Sequence, residues 1–108
     1  MLINSDNAEE VASQFYSLLV HKNSTWVLIS SFMEQIFNDI ELIRQGLLSF
    51  VVKQLGEYYD PLLYLAAQEF HKPFEGRTPF ILACYIVYLS ATKTHHYCEA
   101  FDGDEKIV

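Results

Sequence analysis

The chain has 108 residues, with fourteen acidic side chains against seven basic ones and a formal net charge of −7. One domain of this length can bury a sizeable core, and 51% hydrophobic residues with 15% aromatics exclude a disordered acidic segment. The sign of the charge argues against nucleic acid, whose phosphates require cations, and in favour of a basic protein partner.

Asp6-Asn7-Ala8-Glu9 reads as a capping box, with the Asp6 carboxylate accepting from the third helical amide and Glu9 reaching back. Val11, Phe15, Leu18 and Leu19 then recur at helical spacing, so a first helix is predicted from about Asn7 to His21. Ser24 is the expected cap of a second helix, which carries Trp26, Ile29, Met33, Ile36 and Phe37 to about Asn38. Asn38-Asp39 marks either a kink or a new cap, beyond which Ile40, Ile43 and Leu47 continue the stripe. Gly46 is a weak point there, because glycine costs about 1 kcal/mol in a helix interior. Residues 47–55 are apolar and partly β-branched, and their spacing fits helix or strand; helix is chosen because Gly56 then serves as the residue beyond its C-cap.

Asp60-Pro61 pairs an N-cap with proline at the first helical position, starting a short fourth helix from Leu62 to Phe70. Thr78-Pro79 repeats the device before a last helix, Phe80 to Ala91, apolar nearly all round and so expected at the centre. The uncharged run from Thr78 to Thr92 falls short of the ~20 residues a spanning helix needs, so no membrane is implied. In the tail, Asp102-Gly103 is a hairpin turn signal between strand-like residues 94–101 and a return at 105–108. The expectation is an all-α, single domain over residues 1–108 with about five helices, open to a small C-terminal β-hairpin. Its centre is expected at Phe15, Leu19, Ile29, Met33, Ile36, Leu65, Phe80, Leu82, Ile86 and Leu89.

Chemistry finds little support. His95-His96-x-Cys98 with Glu99 matches no common zinc spacing, and exposed histidines beside a turn explain it more simply. Acidic neighbours raise the pKa of a thiol at Cys98, the wrong direction for a nucleophile. No phosphate-binding glycine loop or serine nucleophile motif is present, so neither catalysis nor a metal or other cofactor is expected. Cys84 and Cys98 read as free thiols, and the acidic start Met1-Leu2-Ile3-Asn4-Ser5-Asp6 is unlike a secretory signal; both readings point to the cytoplasm.

Two acidic segments remain as partner-binding candidates. The first is Glu57, Tyr58, Tyr59 and Asp60 at a helix junction, with Glu69 and Glu75 downstream; the second is Asp102, Asp104 and Glu105. Tyrosines beside the carboxylates supply contact area with a polar tip at small entropic cost. A solvated face is the alternative reading of these charges. Trp26, Phe32 and Phe37 are read as core before pocket, and Tyr64, Tyr85 and Tyr88 as core or groove lining.

Size, charge and the segment Glu75-Gly76-Arg77-Thr78-Pro79-Phe80-Ile81-Leu82-Ala83, with His95-His96-Tyr97 behind it, resemble the immunity proteins of contact-dependent growth inhibition and related bacterial toxin systems. The resemblance implies stoichiometric neutralisation of a cognate basic toxin domain, often a nuclease, by binding over or beside its active site. An acidic inhibitor suits such a target, because opposite charge speeds capture. Two other readings are a phage- or plasmid-encoded DNA mimic that blocks a nucleic-acid-binding enzyme, and a helical adaptor or oligomer subunit. Mimicry calls for carboxylates at phosphate-like intervals, whereas these are clustered between long uncharged runs.

Overall fold

A computed structural model describes the backbone of residues 2–107 and the side chains of residues 2–95. Five α-helices follow in order: α1 (Ala8–Val20), α2 (Trp26–Ile36), α3 (Ile40–Leu55), α4 (Pro61–Phe70) and α5 (Arg77–Ile107), with a 3₁₀ turn (Phe37–Asp39) between α2 and α3. The described residues contain no strand. The hairpin expected for 94–108 falls almost wholly on residues 96–108, outside the described side chains.

Helix starts depart from the sequence in instructive ways. The capping box does not form: Asn7 is the N-cap of α1, and Asn4 Oδ1 accepts from the amides of Asp6 (2.9 Å) and Asn7 (3.2 Å). Asn7 Oδ1 in turn accepts from the Asn4 amide at 2.9 Å, so two asparagines lock the entry. Glu9, freed from capping, takes the Lys53 ammonium at 2.7 Å and ties α1 to α3. Thr25, not Ser24, caps α2 by accepting from the Leu28 amide at 3.3 Å. Gly76, at φ 89°, makes the left-handed turn into α5, which begins at Arg77, so Thr78-Pro79 lies inside its first turn. Gly56 ends α3 at φ −69°, without the left-handed geometry expected of it.

Packing centres on α1 against α3 and α3 against α4, with α5 laid across α1 and α4. Gly46 lies where α1 crosses α3: a Cβ there would stand 2.8 Å from the Ala8 carbonyl oxygen and 3.0 Å from Ala12 Cβ. The residue that weakens α3 locally is therefore the one that lets two helices touch. A file of stacked and tilted rings runs through the interior, from Phe32 to Phe15 (5.3 Å), Phe80 (6.1 Å), Phe74 (5.7 Å) and Phe70 (6.1 Å). Arg44 is buried, donating to the Phe70 carbonyl at 3.0 Å and bidentately to Glu41, which satisfies the C-terminal end of α4 from α3.

Of the expected core, Phe15, Leu19, Ile29, Met33, Ile36 and Phe80 are buried and Leu65 is half-buried. Leu82, Ile86 and Leu89 are a correction: they are exposed. The α5 helix buries Phe80, Ala83, Cys84, Val87 and Ala91 instead, a face of mostly small side chains that allows close approach to α1 and α4. Apart from Phe80, its bulkier aliphatic residues Leu82, Ile86 and Leu89 are left outside, so α5 is peripheral rather than central.

Candidate partner-binding surface

The chain between α3 and α4 is fixed at both ends by its backbone. The amides of Gly56, Glu57 and Tyr58 fold back onto Val52 and Gln54 carbonyls at 2.9–3.1 Å. Asp60 then starts α4, its Oδ1 accepting from the Leu62 amide at 3.0 Å, with Pro61 at the first helical position as the sequence indicates. Between these two anchors the residues face solvent: Glu57 and Asp60 are exposed, Tyr58 is 60% exposed and Tyr59 is 99% exposed. Tyr64, one turn into α4, is also exposed and accepts from Gln68 at 3.3 Å. This corner gathers three solvent-facing tyrosines and two carboxylates.

Asp60 stands on a ridge between two clefts. One, of about 270 Å³, lies among Leu55, Tyr59, Asp60, Pro61 and Tyr64. The other, of about 390 Å³, is walled by Tyr58, Asp60, Gln54 and His95 and floored by Tyr16 and Phe50, whose ring centroids lie 5.8 Å apart. Burial, and then the charge of Asp60, push the Tyr16 phenol up to about 12. The carboxylate's field therefore reaches into the larger cleft. His95 Nε2 lies 2.8 Å from the Val20 carbonyl; that oxygen can only accept, so this nitrogen carries a proton and holds α5 to the end of α1.

Glu69 and Glu75 do not join this corner. Glu69 is half-buried near the far end of α4, roughly 13 Å along the axis from Asp60 at 1.5 Å per residue, and Glu75 is exposed in the loop beyond it. The side chains of Asp102, Asp104 and Glu105 lie outside the described residues, as do those of His96, Cys98 and Glu99. Among the described residues no group of three or more His, Cys, Asp or Glu could hold a metal ion. Cys84 is enclosed in the core, and burial pushes its thiol pKa far up, so it is not a nucleophile in the folded protein. No helix of the described residues is long and apolar enough to cross a membrane.

Sequence reasoning misses three contributors. Tyr16 and Phe50 lie on helices whose local pattern gives no sign of a cleft, and His95 is half-buried and bonded where an exposed residue beside a turn was expected. The third is a stripe on α5: Leu82, Tyr85, Ile86 and Leu89, spaced i, i+3, i+4 and i+7, all exposed. Trp26 covers one edge of it, with ring centroids 4.9 Å from Tyr85 and 5.4 Å from Tyr88. Phe32 and Phe37 pack on the core as expected, and Arg77 sits 4.7 Å over the Phe37 ring. Compared with protein-family models, curated proteins and solved structures, the chain matches none.

Proposed function

We propose that this protein is an inhibitor of the immunity type, which captures a basic toxin domain one to one and blocks it by occupation rather than chemistry. The observation that carries the reading is the corner at α3–α4, where Tyr58 and Tyr59 stand almost free of the core between two exposed carboxylates. Large rings held in water lose hydrophobic stabilisation, and a partner that buries them restores it. A net charge of −7 supports a cationic partner and fast encounter. A free, buried Cys84 suits a reducing compartment, so capture in the cytoplasm is part of the proposal.

The test is complex formation with a candidate basic toxin domain, one found encoded next to the gene for this chain being the first choice, using wild type, Tyr58→Ala, Tyr59→Ala and Glu57→Gln. Loss of about tenfold or more in affinity for a tyrosine variant supports the corner as the centre of the interface. Unchanged affinity in all three, with helix content intact, places any interface elsewhere.

The α5 stripe favours a second reading, an oligomer subunit that buries Leu82, Tyr85, Ile86 and Leu89 against a copy of itself. Sedimentation mass distinguishes it. A dimer that Ile86→Asp dissociates supports that reading, and a monomer across the concentration range rejects it.

A further inference from the structure

We propose that the cleft between α1, α3 and α5 is a receptor for a guanidinium group, and that the occupant is an arginine side chain of the basic protein partner. The inference rests on the proposed function for the identity of the partner, and on the cleft's own chemistry for the identity of the group.

Among the described residues the lining carries one formal carboxylate, Asp60, with His95 beside it and no lysine or arginine. Only Oδ1 of that carboxylate is used among the described residues, on the Leu62 amide, which leaves Oδ2 to accept from a ligand. Tyr16 and Phe50 present rings at the floor and Tyr58 stands at the mouth, so a flat cation meets aromatic surface on several sides. Gln54 and Tyr58 add side-chain acceptors to the lining. Guanidinium suits this arrangement better than ammonium: it is planar, stacks on aromatic faces, is weakly hydrated and carries five donors to spread over several acceptors. A volume of about 390 Å³ lies in the range of small-ligand clefts, ample for one side chain. Tyr16, whose phenol is pushed up first by burial and then by the Asp60 charge, shares this lining with Asp60. An arginine placed there would also set the register of a larger interface, since Tyr59 and Tyr64 flank the opposite side of Asp60.

The probe is N-acetyl-arginine methylamide, titrated into the ¹⁵N-labelled full chain and followed by amide chemical shifts. N-acetyl-citrulline methylamide, nearly isosteric and uncharged, is the control. Saturable shifts confined to Ser17, Gln54, Tyr58, Leu62 and His95 are expected with arginine and not with citrulline. Asp60→Asn keeps an N-cap acceptor for Leu62 while removing the charge, and should weaken the probe about tenfold. Equal shifts with citrulline, shifts scattered over other carboxylates, or full binding by Asp60→Asn each overturn the receptor. The receptor and the immunity reading fail separately. If the probe does not bind but the toxin domain does, the cleft assignment falls and the interface stands. If the probe binds at the cleft but no basic toxin domain forms a complex, the receptor stands and the immunity reading falls.

Discussion

Gly46 sits where helix propensity and packing point in opposite directions. Replacing it with alanine favours α3 by about 1 kcal/mol in isolation. The new methyl, however, would meet the Ala8 carbonyl oxygen at 2.8 Å, and overpacking of that kind costs about 1–3 kcal/mol. The obstacle is backbone, which cannot swing aside, so Gly46→Ala should lower stability in urea denaturation; a more stable variant would mean that α1 and α3 slide apart freely. Glu41 makes a second prediction. Its bonds to Arg44 and then to Gln45 hold its carboxyl down from 4.5 to about 2, so the ionised form stabilises the fold at neutral pH. That contribution is complete above pH 4.5 and is lost as pH falls toward 2. Glu41 is half exposed, so solvent screens part of the benefit. Glu41→Gln should be less stable than wild type at pH 7, and the two should converge at the acid end; parallel acid limbs would refute the assignment. Cys84 should resist a thiol reagent until the protein unfolds, a point checked by labelling rate against denaturant.

Of the local start devices in the sequence Asp60-Pro61 held, while those at Asp6, Ser24 and Thr78 were displaced, and faces chosen by tertiary packing were illegible. Asp60-Pro61 starts α4 as read, because a cap and a proline act within one turn. The box at Asp6 and Glu9 also looked local, yet Asn4 took the Asp6 amide that Glu9 was to reach and Lys53 drew Glu9 away. The face that α5 buries was not readable, because a run apolar on every side carries no stripe to choose by. Contact with α1 and α4 decided it, and beyond Phe80 the small residues Ala83, Cys84, Val87 and Ala91 were buried in preference to Leu82, Ile86 and Leu89. The acidic tyrosine pair at Glu57–Asp60 was visible in the sequence, whereas the larger cleft beside it depends on Tyr16, Phe50 and His95 brought from α1, α3 and α5. The α5 assignment has a direct test. Val87→Asp places an unpaired carboxylate in the core, a cost of several kcal/mol against a total stability of about 5–15 kcal/mol, and should abolish the cooperative melt. Ile86→Asp, one residue earlier and 42% exposed, should melt close to wild type in circular dichroism. The reverse ranking would put the exposed stripe in the core.

At the scale of the molecule, charge and shape act at different moments of capture. In the proposed capture, the excess of acidic groups would steer a basic partner from a distance, a contribution that salt removes, while the tyrosines and the Asp60 cleft would act once water has been expelled. Rim carboxylates such as Glu57 should therefore change the association rate, and Tyr58, Tyr59 or Asp60 the dissociation rate. Asp60 also caps α4, so its replacement is read as asparagine, which keeps a cap acceptor. The most direct test of the proposed capture is the pair of rate constants for a candidate basic toxin domain, measured at low and high salt for wild type, Glu57→Gln and Tyr59→Ala. The account predicts a wild-type association rate that falls steeply with salt, a slower and less salt-sensitive association for Glu57→Gln, and faster dissociation at unchanged association for Tyr59→Ala. Association indifferent to salt, together with wild-type dissociation in Tyr59→Ala, would contradict it.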